Sequence, residues 1–316
     1  MQMADGLTPN SITAFNTVCD LMHTKDDHLT LVHLRPPTDP IDVSTALVQH
    51  FETKLLARFS RKRFTVRSME LNTAVPLRSA VLGEVRALSA DLCILGYRGL
   101  KGGITTVMGS AEDLSLREGH TSALFVKSWE EAAAAAGEKV VLVAVDGSTR
   151  SQQALLLALR LARQGRDKVR AVYVETVGVV GDREGDAVQT GFAALTAPAK
   201  ASGIDLALVR KSIGGFKNPA EVILALIDEL SASVVVVGAD GLGASMQEKK
   251  QGLGSVSDHV LRKASCDVLL FHEPRHTQNA PEAGTQPNPQ HSASTGGGGG
   301  GAGGPPAKGS VPTLPK

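Results

Sequence analysis

Val234-Val235-Val236-Val237-Gly238-Ala239-Asp240-Gly241 is an apolar run that ends on a glycine-framed loop, and twelve residues later Gly254-Ser255 opens a helix-like pattern. The same construction occurs earlier. Leu92 to Leu95 leads into Gly96-Tyr97-Arg98-Gly99, and nine residues later comes Gly109-Ser110. Glycine between a strand and a helix lets backbone N–H groups approach a ligand closely, and the helix N-terminus favours negative charge. A strand, a glycine turn and a helix, present twice, point to a duplicated α/β domain that binds a phosphate-bearing ligand.

Working outward, each loop lies in the same alternation of elements. In the second half Val140 to Val145 reads as a buried strand. Ser148 to Arg163 carries Ala154, Leu155, Ala158, Leu161 and Ala162 on one helical face. Strands over Val169–Val174, Leu206–Val209, Ser233–Val237 and Val268–Phe271 follow. They alternate with helices that run to about Ala201, over Ala220–Leu230 and over Gly254–Arg262. The first half repeats this with strands over His28–Leu34, Phe64–Leu71, Asp91–Leu95 and Ser122–Lys127. Its helices cover Ile12–Met22, Val43–Phe59, Leu77–Leu88 and Ser110–Leu116. Such alternation implies mostly parallel sheets covered on both faces, with ligands outside the carboxyl ends of the strands. The expected domains are 1–129 and 139–273, joined by an Ala-rich linker over 130–138. A Pro/Gly-rich tail over 274–316 is too poor in apolar residues to order. One element is short. A full strand precedes Asp146-Gly147-Ser148, but only Met1 to Ala4 precedes Asp5-Gly6. Either the N-terminus as given is truncated or the first domain is degenerate, and a lost central strand would deprive its neighbours of pairing partners.

Composition narrows the function classes. Basic and acidic residues number 33 and 32, a net charge of +1, so there is no bulk attraction to nucleic acid or to anionic membranes. No apolar run reaches the ~20 residues that cross a bilayer, and the first residues lack a secretory pattern. Three cysteines without close spacing suit a reducing compartment and argue against a disulfide framework or zinc site. A cytoplasmic protein is expected.

Taken together, Val143-Ala144-Val145-Asp146-Gly147-Ser148, Leu31-Val32-His33-Leu34, Val172-Tyr173-Val174, Ala90 through Gly99, and Gly254-Ser255-Val256-Ser257 running on to Val260-Leu261-Arg262 resemble the universal stress protein family. The chain looks like a tandem member over about residues 3–273. The resemblance implies two doubly wound five-stranded parallel sheets of order 3-2-1-4-5, paired as a pseudo-dimer through their fifth strands, and in some members ATP binding, with or without Mg2+, without strong catalysis. Carried over by residue, it places Asp146 by the ribose or a metal, Val174 at the adenine, Gly238 and Gly241 at the phosphates, and Gly254, Ser255 and Val256 at the helix that faces phosphate. In the first half the same roles fall on Asp5, Leu34, Gly96, Gly99, Gly109 and Ser110, with Arg98 as a nearby cation. Both copies depart from the pattern. Glu112 stands where Ser or Thr is usual, and the second loop is three residues longer, with Asp240 where a basic residue would help.

Other readings compete. Asp146-Gly147-Ser148 also fits a turn plus helix N-cap. His33 reads as a satisfied core or rim histidine and Cys93 as an inert buried thiol. No Gly-x4-Gly-Lys-Ser/Thr or Gly-x-Ser-x-Gly motif is present. The leading expectation is a non-enzymatic ATP-binding stress-response protein that pairs its own domains or forms a homo-oligomer. The alternatives are a ligand-free assembly module and a slow ATP hydrolase.

Overall fold

The computed structural model describes residues 9–22, 24–38, 40–96, 121–127, 137–175, 183–216, 218–239 and 253–273. In chain order its elements are α1 (Pro9–Leu21), β1 (Leu29–Arg35), α2 (Ile41–Leu56), a 3-10 turn (Arg61–Arg63), β2 (Phe64–Glu70), α3 (Leu77–Ala87), β3 (Leu92–Gly96) and β4 (Ser122–Val126). They continue with β5 (Val140–Ala144), α4 (Thr149–Leu161), β6 (Lys168–Glu175), α5 (Arg183–Ala201), β7 (Asp205–Ser212), α6 (Pro219–Glu229), β8 (Val234–Gly238), α7 (Ser255–Lys263) and β9 (Asp267–Phe271). The expected helix over 110–116 and the tail lie outside the described residues.

In the second half the strands stand in the order β9-β8-β5-β6-β7, all parallel, which is the implied 3-2-1-4-5 arrangement. Successive side chains of a strand point to opposite faces. Val143, Val169, Ala171, Val236 and Leu269 pack beneath α4 and α5, while Leu142, Val172, Val235, Val237 and Leu270 pack beneath α6 and α7. Both faces of β5 are covered, which is why its sequence is a continuous apolar run instead of an alternation. The helices start where local chemistry directs. The Ser148 hydroxyl accepts from the Ser151 N–H at 3.1 Å to cap α4. Asn218 does the same for α6 through the Glu221 N–H at 3.1 Å, with Pro219 at the first helical position. β7 runs beyond its apolar Leu206–Val209 segment to Ser212. Its extra residues are held by charge, Arg210 to Glu175 at 2.7 Å and Lys211 to Glu229 at 3.4 Å.

The first half departs from the expected five-stranded sheet. β1 pairs only with β2, in parallel, as a separate two-stranded sheet, while β3 pairs with β4 and joins the large sheet. In the 3-2-1-4-5 order the first strand stands between the counterparts of β1 and β3, and among the described residues no strand occupies that position. Without it, backbone pairing between the two pieces is interrupted. α1 spans the break instead. Its Phe15 and Cys19 pack with Leu47, Phe51 and Leu55 of α2, while its Ala14 and Leu21 pack into the core of the large sheet.

The halves meet through their last strands, as the resemblance implies. β4 and β9 pair antiparallel, with Ala123 opposite Leu270, Leu124 opposite Leu269 and Phe125 opposite Val268, making one seven-stranded sheet. Phe125, Leu269 and Leu270 are buried on this seam, and each such side chain contributes about 1.5–3 kcal/mol. Polar groups fix the register at both ends. The Ser122 hydroxyl accepts from the His272 N–H at 3.1 Å, and the Lys127 N–H donates to Asp267 Oδ1 at 2.8 Å. The Lys127 ammonium donates to the carbonyls of Leu261 and Ala264, where α7 ends.

Candidate functional site

The crevice of the second half forms at the carboxyl edge of the sheet, between β5 and β8. From β5 the chain continues to β6 on one side, and β8 stands on the other, so this is the point where strand order reverses. Beyond β8 the backbone is tied down in sequence. The Ala239 N–H donates to Phe271 O at 2.8 Å, and the Gly254 N–H donates to Ala239 O at 2.9 Å. The Ser257 hydroxyl donates to Gly238 O at 2.5 Å. These bonds hold the first turn of α7 against the end of β8. The N-cap is Gly254, at φ −60° and ψ 146°, and no side chain caps the helix. The opening amides of a helix have no intrahelical acceptor. Ser255 is exposed and Val256 half-buried, so the positive end of this helix lies at the crevice.

Across the crevice, Asp146 follows β5. Its Oδ1 accepts from the Ser148 N–H at 3.0 Å, and the Asp146 N–H donates to Ser151 Oγ at 3.3 Å. Gly147 takes φ +85°, a conformation that favours glycine. The structure therefore realises the turn-plus-cap reading of this tripeptide and places it at the mouth of the sheet. Val174 stands near the end of β6. The β5–β6 ladder reaches Ala144 opposite Val172, and the Val145 N–H donates to Val172 O at 2.9 Å. In a parallel strand every second residue turns its backbone groups to the same side. Val174 therefore points its N–H and C=O past the last rung, toward the place where β5 turns away. Asp146, Val174, Gly238, Gly254, Ser255 and Val256 are thus brought to one edge of one sheet; Gly241 lies outside the described residues.

The first half is different. Asp5, Arg98, Gly99, Gly109 and Ser110 lie outside the described residues. Leu34 is in β1 and Gly96 in β3, which belong to different sheets, so no shared ladder brings them together. Arg35 O accepts from the Leu71 N–H at 2.8 Å, on the β2 side, so Leu34 turns its backbone groups the other way, toward the open position. His33 Nδ1 lies 3.2 Å from Ser68 Oγ, the satisfied rim histidine that was expected. Burial pushes the Cys93 thiol up to about 11, in line with an inert thiol.

Sequence reading passed over Ser151, whose hydroxyl also donates to Ser148 O at 2.9 Å, and the Glu175–Arg210 pair at the β6–β7 mouth. The signal for the pair was opposite charges at the ends of adjacent strands.

The family model described as the universal stress protein family matches residues 138–272. The match spans the second half of the chain and is to a universal stress protein domain. A curated universal stress protein of Mycobacterium tuberculosis is 32% identical over 120 residues, 38% of this chain and 36% of its own length, and one of Mycobacterium bovis aligns equally. The chain therefore matches little more than a third of the length of these relatives. A crystal structure of a universal stress protein from Archaeoglobus fulgidus superposes with a TM-score of 0.54 at 18% identity, covering 84% of this chain and 96% of that one. A functionally unknown protein from Pseudomonas aeruginosa superposes with a TM-score of 0.57 at 15% identity, covering 85% and 90%. At such identities the likeness is one of fold. No helix among the described residues is long and apolar enough to cross a membrane.

Proposed function

We propose that the universal stress protein domain over 138–272 binds an adenine nucleotide, ATP with Mg2+, without turning it over, and that the first half is a divergent second copy that braces it through β4. The observation that carries this reading is the first turn of α7. It is held against the switch point of the sheet, begins at a glycine without a side-chain cap, and offers backbone amides and the Ser255 hydroxyl to an anion. Asp146 on the opposite wall suits a ribose hydroxyl or the metal, and the Val174 backbone suits the edge of a base. Phosphate charge would be met by helix amides, and Mg2+ held chiefly by the phosphates needs one or two protein carboxylates. Among the described residues, such a site has the parts for binding and none placed for phosphoryl transfer. In a stress-response role the nucleotide would act by stabilising the bound form. Saturation at about 100 times the dissociation constant adds about 2.7 kcal/mol. Calorimetric titration of the full chain with MgATP should show a single site. An absence of both heat and thermal stabilisation at about 1 mM ligand, already a weak affinity of about −4 kcal/mol, would overturn the proposal.

A further inference from the structure

The inner faces of β1 and β2 change character along their length. Near the amino ends, Leu29, Leu31, Phe64 and Val66 pack against Phe51 and Leu55 of α2. Toward the carboxyl ends the same faces carry Arg35, Ser68 and Glu70, beneath the first turns of α2. A cavity of about 410 Å³ opens there, closed on the helix side by Ser44, Val48 and Gln49. This lies within the size range of small-molecule sites, about 300–1,000 Å³. Ser44 is 3% exposed, and its hydroxyl has no hydrogen-bond partner among the described residues. A buried hydroxyl without a partner is uncommon and calls for one.

Two positions on these strands differ in kind from their counterparts in the second half. At an offset of 140 residues, Tyr173 stands in the place of His33 and Leu208 in the place of Ser68. The Arg35–Glu70 pair has its counterpart in the Glu175–Arg210 pair, so the difference between the halves lies at Ser68, where the second half has the apolar Leu208.

We infer that the cavity under α2 is a second small-molecule site, separate from the glycine crevice, and that it takes an uncharged polyhydroxylated molecule, a sugar or cyclic polyol. The lining is electrically balanced, because Arg35 and Glu70 form an ion pair, so it does not select for a polyphosphate. It offers donors and acceptors side by side: the guanidinium, the carboxylate, the Gln49 amide and the Ser44 hydroxyl. Vicinal hydroxyls, each both donor and acceptor, match that set. Val48 supplies an apolar wall for the C–H face of a ring.

The test is saturation-transfer NMR on the full chain, with myo-inositol and glucose as probes at about 10 mM, the range of weak sites. At least one polyol should receive transfer, and MgATP should not displace it. Ser44→Val removes the orphan hydroxyl and puts methyl groups in its place; Gln49→Ala is a milder change at an exposed helix position. Each should weaken the response by about tenfold or more, whereas Gly254→Asp should leave it intact. Absence of transfer from both polyols, an unchanged response in both variants, or displacement by MgATP would overturn the assignment.

Discussion

Gly254→Asp should move stability and nucleotide binding in opposite directions. Gly254 sits at φ −60° and ψ 146°, extended backbone that an L residue adopts without strain. Aspartate at an N-cap accepts from the N–H two or three positions on, and it exceeds glycine there by a few tenths of a kcal/mol. Its charge beside the helix N-terminus adds about 0.3–1 kcal/mol. The variant should therefore be as stable as the parent, or about 0.5–1 kcal/mol more stable. Binding should suffer from the same charge. A carboxylate about 4 Å from a phosphate charge, at an effective dielectric of about 20, opposes it by about 4 kcal/mol. If screening leaves only a third of that, affinity still falls about tenfold. Urea unfolding followed by circular dichroism, read from the midpoint at constant slope, gives the first quantity; MgATP titration of the same sample gives the second. Because the fold is retained, misfolding does not explain a loss of binding. An affinity within about twofold of the parent would refute the assignment of phosphate to this helix.

Two further outcomes follow from buried groups away from the crevice. Asp167 is 4% exposed on its side chain and is held by the Arg163 guanidinium at 2.7 Å and by the N–H groups of Arg163 and Lys139 at 2.9 and 3.1 Å; burial pushes its carboxyl up, but these hydrogen bonds outweigh burial and leave it below the usual 3.8. A depressed folded value gives stability that is present above the unfolded value and lost as pH falls through the folded one, so acid unfolding at pH below about 4 should be shallower in Asp167→Asn. That variant should cost about 2–4 kcal/mol at neutral pH while leaving MgATP affinity unchanged, and a cost under about 0.5 kcal/mol would refute the role given to the pair. With burial raising Cys93 to about 11 and Cys266 to about 12, labelling by a disulfide reagent at pH 8 should be about 100-fold slower at Cys93 and about 1,000-fold slower at Cys266 than for an ordinary thiol, and should rise steeply toward pH 10; rapid labelling of either would contradict their burial.

How legible was each part? The second half was readable because a strand covered on both faces writes itself as an unbroken apolar run, and Ser148 announces the helix it caps. Its boundaries slipped where charge extended a strand, since Arg210 and Lys211 read as loop until β6 and α6 supply Glu175 and Glu229. The crevice was legible in part. Gly238 and Gly254 marked strand exit and helix entry, but the turn-forming role of the Asp146 carboxylate and the anchoring of α7 by Ser257 depend on groups that meet only in three dimensions. The cavity beneath α2 was not legible. Ser44, Ser68 and Glu70 look like ordinary surface residues until β1, β2 and α2 enclose them.

The sequence by itself determined the α/β class, the order of elements and the two glycine turns, because periodicity, capping and φ preference act over a few neighbouring residues. It also showed a full apolar run ahead of Asp146-Gly147 and only Met1 to Ala4 ahead of Asp5-Gly6. Only the tertiary structure decided how the described strands pair: β1–β2 forms its own sheet, β3–β4 joins the other half through β9, and α1 packs against both. Strand pairing and cavity filling are settled between residues far apart in the chain, by which backbone edges find partners and which side chains reach the same space.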